Sequence, residues 1–385
     1  MKTENIALLG TAMTRFADHR DRTLFELATE AGLGTLTDAG IDLRDVGEAY
    51  VGSMMAPPML GVRILKQLGL TGLPVVTIEA ASASGLVALR EASFAVSSGR
   101  CEVALALTYE HAMQRLPGSG GMTPGYETLM ASPASFALWA SRRMHERGTK
   151  PEHLAKLAAK NWNAARENPL AYHRADHVVT PQEVLASPSV ASPLTQMMGA
   201  PMGGGAAAVL LASPDRVRRR RPGEPLVRVL SSSLVTESWD PEWIALGPAV
   251  GPPGMTADAA RRAFEAAGVG PEDVDVAYVH DSWINEELEY YEQLGLCAPG
   301  EAEKLAEEGT TALGGRIPVN VDGGLVARGH PIGPTGLAQV HEIGLQLRGR
   351  AGRRQVEGAT TALAQLVGGG SSAIVCLFQR DGRVA

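Results

Sequence analysis

Residues 75–89 read VVTIEAASASGLVAL, a short run of β-forming residues followed by five small ones. Gly85 then opens an apolar pattern with the period of a helix. A strand, a tight turn and a helix in this order expose one side chain at the bend and point helix N–H groups toward it. Two serines stand at the bend. Ser84 fits an ordinary N-cap as well as a functional role, and Ser82 is the better candidate for a nucleophile beside backbone dipoles.

The segments around this stretch have counterparts later in the chain, which indicates an internal duplication. AGIDLRDVGEAYVG (39–52) aligns without gaps with AGVGPEDVDVAYVH (267–280). The helix start Ser-Gly-Leu (84–86) returns as Thr-Gly-Leu (335–337), and VALAL (103–107) returns as TALAQ (361–365). Three correspondences in the same order predict two copies of one α/β unit. Apolar strands alternating with helices favour sheets that are covered on both faces.

Length and composition narrow the class of protein. A chain of 385 residues exceeds one core, so two halves are expected. Aromatic residues make up 5% and the net charge is −7, and both values disfavour a nucleic-acid partner. The three cysteines are isolated, which predicts neither a disulfide framework nor a metal site. With no signal peptide and no membrane span in the pattern, we expect a soluble cytoplasmic protein.

The duplication also predicts the domain organisation. Residues 1–117 plus 195–222 form the N-terminal half and 223–385 the C-terminal half. Residues 118–194 fit neither copy and are expected to be an inserted loop domain over one face, where such segments cover a substrate tunnel. The run RVRRRRPGEP (216–225) is expected to be the linker, with its arginines as a solvated patch. The alternative for these arginines is a contact with a phosphate or an acidic partner.

Three further places carry residues that suit chemistry. His280 follows an apolar strand, and His330 lies in the loop GGLVARGHPIGPTG (323–336), whose glycines and prolines constrain the backbone. Residues 367–372, VGGGSS, form a glycine turn that allows close backbone approach. Taken alone, the first histidine fits a structural hydrogen bond and the turn a simple hairpin. If the halves pack about a pseudo-two-fold axis, Ser82, both imidazoles and the glycine wall converge on one site.

These blocks together resemble the active-site blocks of thiolases, and the nearest branch is the sterol-carrier-protein or lipid-transfer type. The blocks are Ala-Ser82-Ala-Ser-Gly, His280-Asp-Ser-Trp, Gly-His330-Pro and the terminal glycine turn. The likeness covers nearly the whole chain, including Lys160-Asn161 and LASPSVASPLT (185–195). It implies a five-layered α-β-α-β-α sandwich of two pseudo-symmetric halves, a homodimer, and an acyl-CoA or carrier-bound thioester as substrate, with no metal or prosthetic cofactor. It also marks glycines expected to line the thioester site: Gly329, Gly368, Gly369 and Gly370.

The departures from the thiolase pattern concern every catalytic thiol. Ser82 stands where thiolases carry the nucleophilic cysteine, Ser282 stands where this branch carries an acid/base cysteine, and Leu366 stands where other branches place it. A thiol ionises near pH ~8.5, whereas an alcohol needs an adjacent general base. By resemblance His330 is that base and His280 belongs to the oxyanion hole, while Ser282 is a poor proton shuttle.

Three hypotheses follow. The first is an acyltransferase that works through a Ser82 acyl-enzyme and forms or cleaves a C–C or other acyl bond. The second is an aldolase or retro-aldolase acting on a β-hydroxyacyl-CoA with a small OB-fold partner. Such relatives tend to carry tyrosines in place of the two histidines, which this chain keeps. The third is a non-catalytic subunit of a thiolase hetero-complex.

Overall fold

A computed structural model describes residues 6–54, 58–69, 72–111, 133–238 and 253–381. The strands are β1 (Ala7–Met13), β2 (Glu48–Gly52), β3 (Val75–Ile78), β4 (Val103–Glu110), β5 (Ser189–Ala191), β6 (Leu194–Thr195), β7 (Gly205–Ala212), β8 (Leu226–Thr236), β9 (Val276–Tyr278), β10 (Thr361–Gly368) and β11 (Ser372–Asp381). The helices are α1 (Leu24–Ala39), α2 (Leu60–Leu68), α3 (Ser84–Ser97), α4 (Pro133–Arg147), α5 (Pro151–Arg166), α6 (Pro181–Ala186), α7 (Pro214–Arg220), α8 (Pro253–Ala267), α9 (Asn285–Gln293), α10 (Ala302–Glu308) and α11 (Thr335–Leu347). No helix in these ranges has the length and apolar character needed to cross a membrane.

Local sequence sets the ends of the first long helix. Thr23 caps α1 by accepting from the Glu26 N–H, and the Glu26 carboxylate accepts in return from the Thr23 N–H. The helix stops at Gly40, whose φ of 64° suits a residue without a side chain. Such caps satisfy the backbone groups that a helix end leaves unpaired.

The main strands form a sheet in the order β3-β2-β4-β7-β1-β8-β11-β10-β9. Its two parts share one topology: β2 pairs parallel with β4, as β9 does with β10, and antiparallel strands β7 and β1 follow on one side as β11 and β8 do on the other. In the register, β1 and β8 meet at one Cα pair, Ala7 and Arg228. The sheet is therefore two repeated sheets joined along a narrow seam.

The three largest hydrophobic cores among the described residues show how helices cover both sheets. Helices α1 and α2 pack on the outer face of the first sheet, and α3 and α11 lie between the two sheets. Helices of the α4–α5 and α8–α10 segments cover the outer face of the second sheet. Strand β4 shows the alternation: Leu105 and Leu107 enter the outer core, and Ala104 and Ala106 enter the central one. The result is the expected five-layered α-β-α-β-α sandwich.

The pseudo-two-fold relation is visible in the backbone. Gly85 of α3 and Gly336 of α11 are equivalent positions at which the two helices cross. A Cβ on Gly85 would lie 2.8 Å from the Leu337 nitrogen, and one on Gly336 would lie 2.7 Å from the Leu86 nitrogen. The closeness of this crossing requires glycine on both sides.

The segment between β4 and β7 is described from residue 133 onward. It holds α4, α5, α6 and the hairpin of β5 and β6. The stretch GSGGMTPGY of the expected insertion lies outside the described residues, and the division into domains stays a prediction. Lys160 and Asn161 of α5 reach across to Glu287 of α9, at 2.5 Å and 2.7 Å. This segment therefore packs against the second half.

Candidate active site

The turn between β3 and α3 holds Ser82 in a strained bend. Ala81, the residue before it, has a φ of 45°, which non-glycine residues rarely adopt. Ser84 secures the bend, since its Oγ accepts from the Ala80 N–H at 2.9 Å and donates to the Ala81 carbonyl at 2.7 Å. Ser82 is buried. The structure thus gives Ser84 a local bracing role and leaves the Ser82 hydroxyl to face across the seam between the halves.

His330 meets Ser82 directly. The Ser82 Oγ and His330 Nε2 lie 3.1 Å apart, although 248 positions separate the two residues. The second ring nitrogen, Nδ1, lies 2.8 Å from the Thr335 Oγ1 at the start of α11. The backbone N–H of His330 donates to the Pro201 carbonyl. Two contacts of the ring and one of the backbone therefore hold His330 in the orientation that a general base needs.

A buried carboxylate positions the loop that precedes His330. Asp281 accepts from the Leu325 N–H at 2.7 Å and from the Asn161 amide at 2.9 Å. Burial, with the nearby Glu287 as the second cause, raises the pKa of Asp281 well above its usual range. A Cβ on Gly324, whose φ is 56°, would lie 2.4 Å from the Asp281 Oδ2. The loop glycine is required because it lets the backbone close on this carboxylate.

His280 lies beside His330 with one ring nitrogen unused. The two rings meet edge to face, with centroids 5.3 Å apart. The backbone N–H of His280 donates to the Gln365 side chain at 3.0 Å, and the ring Nδ1 lies 2.9 Å from the Glu286 Oε1. Nε2 is buried and has no hydrogen-bond partner in the part of the chain that the structure describes. An unpaired polar atom in a buried site is typical of a group that waits for a ligand.

Ser282 turns toward the same carboxylate. Its Oγ donates to the Glu286 Oε2 at 2.5 Å, and the Trp283 N–H donates to that oxygen at 3.0 Å. Glu286 was not among the residues predicted from the motifs. Its signal was the spacing: a glutamate four residues after Ser282 and six after His280, in the first turn of a helix.

The glycine turn packs against the bend that carries Ser82. A Cβ on Gly368 would lie 2.3 Å from the Ala80 carbonyl oxygen, and one on Gly369 would lie 3.5 Å from the Ala81 Cβ. Gly369 and Gly370 have φ values of 57° and 79°. The turn therefore packs closely against the bend that carries Ser82, and its contact with a substrate stays a prediction.

Gly329 and Leu366 face protein rather than an open site. A Cβ on Gly329 would lie 3.0 Å from the Tyr172 Cβ and 3.3 Å from the Phe16 Cβ. Leu366 is fully buried in the central core. The structure thus shows a packing role for Gly329, and its contact with a substrate stays a prediction.

The three cysteines do not present a reactive thiolate. Burial is the first cause that raises the pKa of Cys101 to about 11 and those of Cys297 and Cys376 to about 12. A nucleophilic thiol needs the opposite shift. In the described ranges, no group of three or more histidine, cysteine, aspartate or glutamate side chains is arranged to hold a metal ion.

This arrangement of side chains suits attack on a carbonyl carbon. The Ser82 hydroxyl lies within hydrogen-bond distance of the His330 ring. The Nε2 of His280 has no partner among the described residues, and the glycine turn packs against the bend that carries Ser82. These are the parts that nucleophilic acyl transfer requires.

Comparison with known proteins agrees with this geometry. Residues 6–184 match the family model "Thiolase, N-terminal domain", and residues 253–380 match "Thiolase C-terminal domain-like". An acetyl-CoA acetyltransferase of Methanothermobacter thermautotrophicus is 36% identical, over 98% of this chain and 100% of its own. Sterol carrier protein 2 of Gallus gallus is also 36% identical, over 97% of this chain and 71% of its own.

Solved structures share the fold. The chain matches the structure of an "Ltp2-ChsH2(DUF35) aldolase" with a TM-score of 0.84 and 22% identity, covering 97% of both chains. It matches human mitochondrial 3-ketoacyl-CoA thiolase with a TM-score of 0.74 and 18% identity, covering 99% of this chain and 100% of the other. On the family models, the full-length relatives and this architecture, the chain belongs to the thiolase superfamily.

Proposed function

We propose that this chain is a thiolase-type acyltransferase that takes an acyl group from a CoA or carrier-bound thioester onto Ser82. The observation that carries the proposal is the 3.1 Å contact between the Ser82 Oγ and the His330 Nε2. Relatives named for acyl transfer from CoA, such as the Methanothermobacter acetyltransferase, support the substrate class.

The acylation step uses groups that are already in place. As the Ser82 oxygen attacks the thioester carbon, the His330 Nε2 accepts its proton, and Thr335 holds the ring from the other side. The C–S bond then breaks, and the proton on His330 passes to the leaving thiolate. The positive end of the α3 helix dipole lies next to Ser82 and favours the negative charge that develops on the thioester oxygen. The glycine turn, residues 368–370, would line the thioester.

A mass measurement tests the proposal. After incubation with a panel of acyl-CoA thioesters, the intact chain should gain the mass of one acyl group on Ser82. Ser82→Ala should gain none, and turnover should fall by at least about 10³-fold, because the nucleophile is gone. Ser93→Ala is the matched control, since Ser93 is a buried serine of α3 that donates to the Leu89 carbonyl away from the site. Full activity in Ser82→Ala would end this proposal.

A second candidate function is aldol chemistry without an acyl-enzyme. It is favoured by the serine at position 282 and the leucine at 366, which leave no thiol to shuttle the second proton. The name of the structurally similar Ltp2-ChsH2(DUF35) aldolase joins two proteins, so a small partner such as an OB-fold protein is worth testing by co-purification. Release of an aldehyde or ketone from a β-hydroxyacyl-CoA, without an adduct on Ser82, would favour this candidate.

A third candidate is a subunit without activity of its own. A 32% identical relative from Thauera aromatica is named "Benzoylsuccinyl-CoA thiolase subunit BbsB", and it matches over 97% of both chains. Turnover by the isolated chain excludes this role, whereas turnover only in a reconstituted hetero-complex supports it.

We also propose a homodimer. β3 is the terminal strand of the sheet, and Val76 in its middle is 41% exposed. An open edge with exposed apolar side chains is a ready site for pairing with a second copy. Light scattering of the isolated chain should give twice its mass.

A further inference from the structure

Glu286 is a buried carboxylate with four neighbours that contact its two oxygens. Its Oε1 lies 2.9 Å from the His280 Nδ1 and 3.3 Å from the Tyr290 hydroxyl, and its Oε2 accepts from Ser282 and from the Trp283 N–H. Its side chain is 2% exposed. Burial and the adjacent Glu286 raise the pKa of Tyr290 well above its usual range, so that hydroxyl keeps its proton and donates. The Ser282 hydroxyl, the Trp283 N–H and the Tyr290 hydroxyl all donate to Glu286, so its two oxygens act as acceptors.

The carboxylate determines which nitrogen of His280 carries the proton. An ionised carboxylate only accepts hydrogen bonds, so the Nδ1 of His280 must donate to it. In the neutral ring, Nε2 then holds a lone pair. That same atom is buried and has no partner among the described residues. His280 is thus arranged as a base with a vacant proton-accepting position.

The vacant nitrogen belongs to the same site as the nucleophile but is not used by it. The two ring nitrogens of His330 contact the hydroxyls of Ser82 and Thr335. The ring of His280 stands 5.3 Å away at 89° to that of His330. Two imidazoles with separate partners allow two proton transfers, one for the alcohol and one for a second substrate.

We propose that His280, positioned by Glu286, is the acid/base for the carbon-carbon step and takes the place of the missing thiol. This inference rests on the proposed Ser82 acyl transfer. Glu286 acts through His280 and is therefore a positioning residue. Its negative charge stabilises the imidazolium that forms, as the carboxylate of a catalytic triad does.

The step balances with the groups that the site provides. A C–H bond at the α-carbon of an acyl thioester breaks, the proton moves to the His280 Nε2, and the electron pair becomes the enolate. The enolate carbon bonds to the carbonyl carbon of the acyl group on Ser82, and the bond from that carbon to the Ser82 oxygen breaks. The proton passes from His280 through His330 to the Ser82 oxygen. The products are a 3-ketoacyl thioester and free enzyme.

Two readouts separate the two proton transfers. The mass increment on Ser82 reports acylation, and deuterium incorporation from D₂O into the methyl group of acetyl-CoA reports proton abstraction. In Glu286→Gln, exchange should fall at least about 100-fold, because general base catalysis contributes that much, while acylation stays within a few-fold of wild type. Glu308→Gln, the same change at an exposed position of α10, should leave both readouts unchanged.

A second variant guards against misfolding of the first. His280→Gln leaves the Ser282 and Trp283 contacts of Glu286 in place and should also lose exchange. Ser82→Ala should retain exchange, since the α-proton does not go to Ser82. Wild-type exchange in folded Glu286→Gln overturns the inference, as does a parallel loss of acylation and exchange. Absence of a Ser82 adduct in the wild type, with exchange intact, instead overturns the acyl-enzyme.

Discussion

An alcohol is much less acidic than a thiol, so Ser82 needs neighbouring groups to remove its proton. Ser82 depends on His330 for removal of its proton, and His330 depends on Thr335 for its orientation. The Thr335 hydroxyl is fully buried and lies 2.8 Å from Nδ1. When it accepts from an Nδ1–H, the lone pair of the His330 Nε2 can take the proton of Ser82.

Thr335→Val tests this arrangement at one atom. Valine keeps the shape but cannot hold Nδ1–H, so the tautomer with a proton on Nε2 becomes populated. We expect acylation of Ser82 to slow about 10- to 100-fold, measured as the rate of the mass increment, with a loss of about 1 kcal/mol of unfolding free energy.

The matched control is Thr35→Val. Thr35 is also fully buried, but its Oγ1 has no partner in the described part of the chain. Removing an unsatisfied hydroxyl should leave acylation unchanged and keep or raise stability. Equal acylation rates in Thr335→Val and wild type would show that Thr335 does not orient His330.

Single residues differed in how far the sequence could place them. Ser82, His330 and His280 stood in short motifs bordered by small or rigid residues, and the structure brings them together. Glu286 stood in the first turn of an ordinary helix, where acidic residues are common. Its function depends on side-chain directions across a turn, which the sequence pattern does not carry.

At the scale of elements, the crossing of α3 and α11 holds the site together. Gly336→Ala would place a Cβ 2.7 Å from the Leu86 nitrogen, and a backbone atom cannot swing aside. We expect a loss of about 1–3 kcal/mol of unfolding free energy in urea, despite the better helix propensity of alanine. Acylation should slow as well. Ser82 lies just before α3, and Thr335, which contacts His330, is the first residue of α11.

Gly254→Ala provides the comparison. Gly254 lies in α8, and a Cβ there would meet no atom of the described residues within 4 Å. The same substitution should raise stability by about 0.5 kcal/mol. If both variants unfold at the same urea concentration, the two helices cross less closely than these distances indicate.

Elements were predicted best where their pattern is local. The strand-turn-helix at Ser82 and the repeated strands followed from periodicity. The arginine run followed in part: the arginines at 218–220 are exposed as expected. The run forms α7, however, and Arg221 just after that helix is buried with its Nε donating to the Leu9 carbonyl at 2.6 Å. Asp38 pairs with it at 2.8 Å. The distribution of charges along the sequence does not show partners that are so distant in the chain.

For the whole molecule, His341 links the two halves. It belongs to α11, and its Nδ1 lies 3.1 Å from the Thr11 Oγ1 of β1. Burial lowers the pKa of His341 to about 4, and Arg354 and Arg348 act in the same direction. His341 therefore becomes protonated near pH ~6.5 in the unfolded chain but only near pH 4 in the folded chain. The free energy of unfolding consequently decreases as pH falls from about 6.5 toward 4.

His341→Asn should flatten this dependence. Asparagine retains a polar atom near Thr11 but does not titrate. Between about pH 6.5 and pH 5 the wild type should lose about 1.5 kcal/mol more unfolding free energy than the variant, as measured by urea titration at each pH. Identical pH profiles would mean that His341 titrates normally in the folded chain.

The overall architecture was accessible because the chain repeats itself. The alignment of 39–52 with 267–280 predicted equivalent strands, and β2 and β9 are those strands. The closeness of the two units was not readable, because it depends on Gly85 and Gly336 meeting across the interface. Part of the expected insertion, residues 118–132, lies outside the described residues.

The seam between the halves has a consequence for refolding. One repeat contributes the alcohol and the other contributes both imidazoles, so neither repeat alone holds a complete reaction pair. Turnover through Ser82 therefore requires the two repeats to dock. During refolding, the time at which turnover begins should report when that docking occurs.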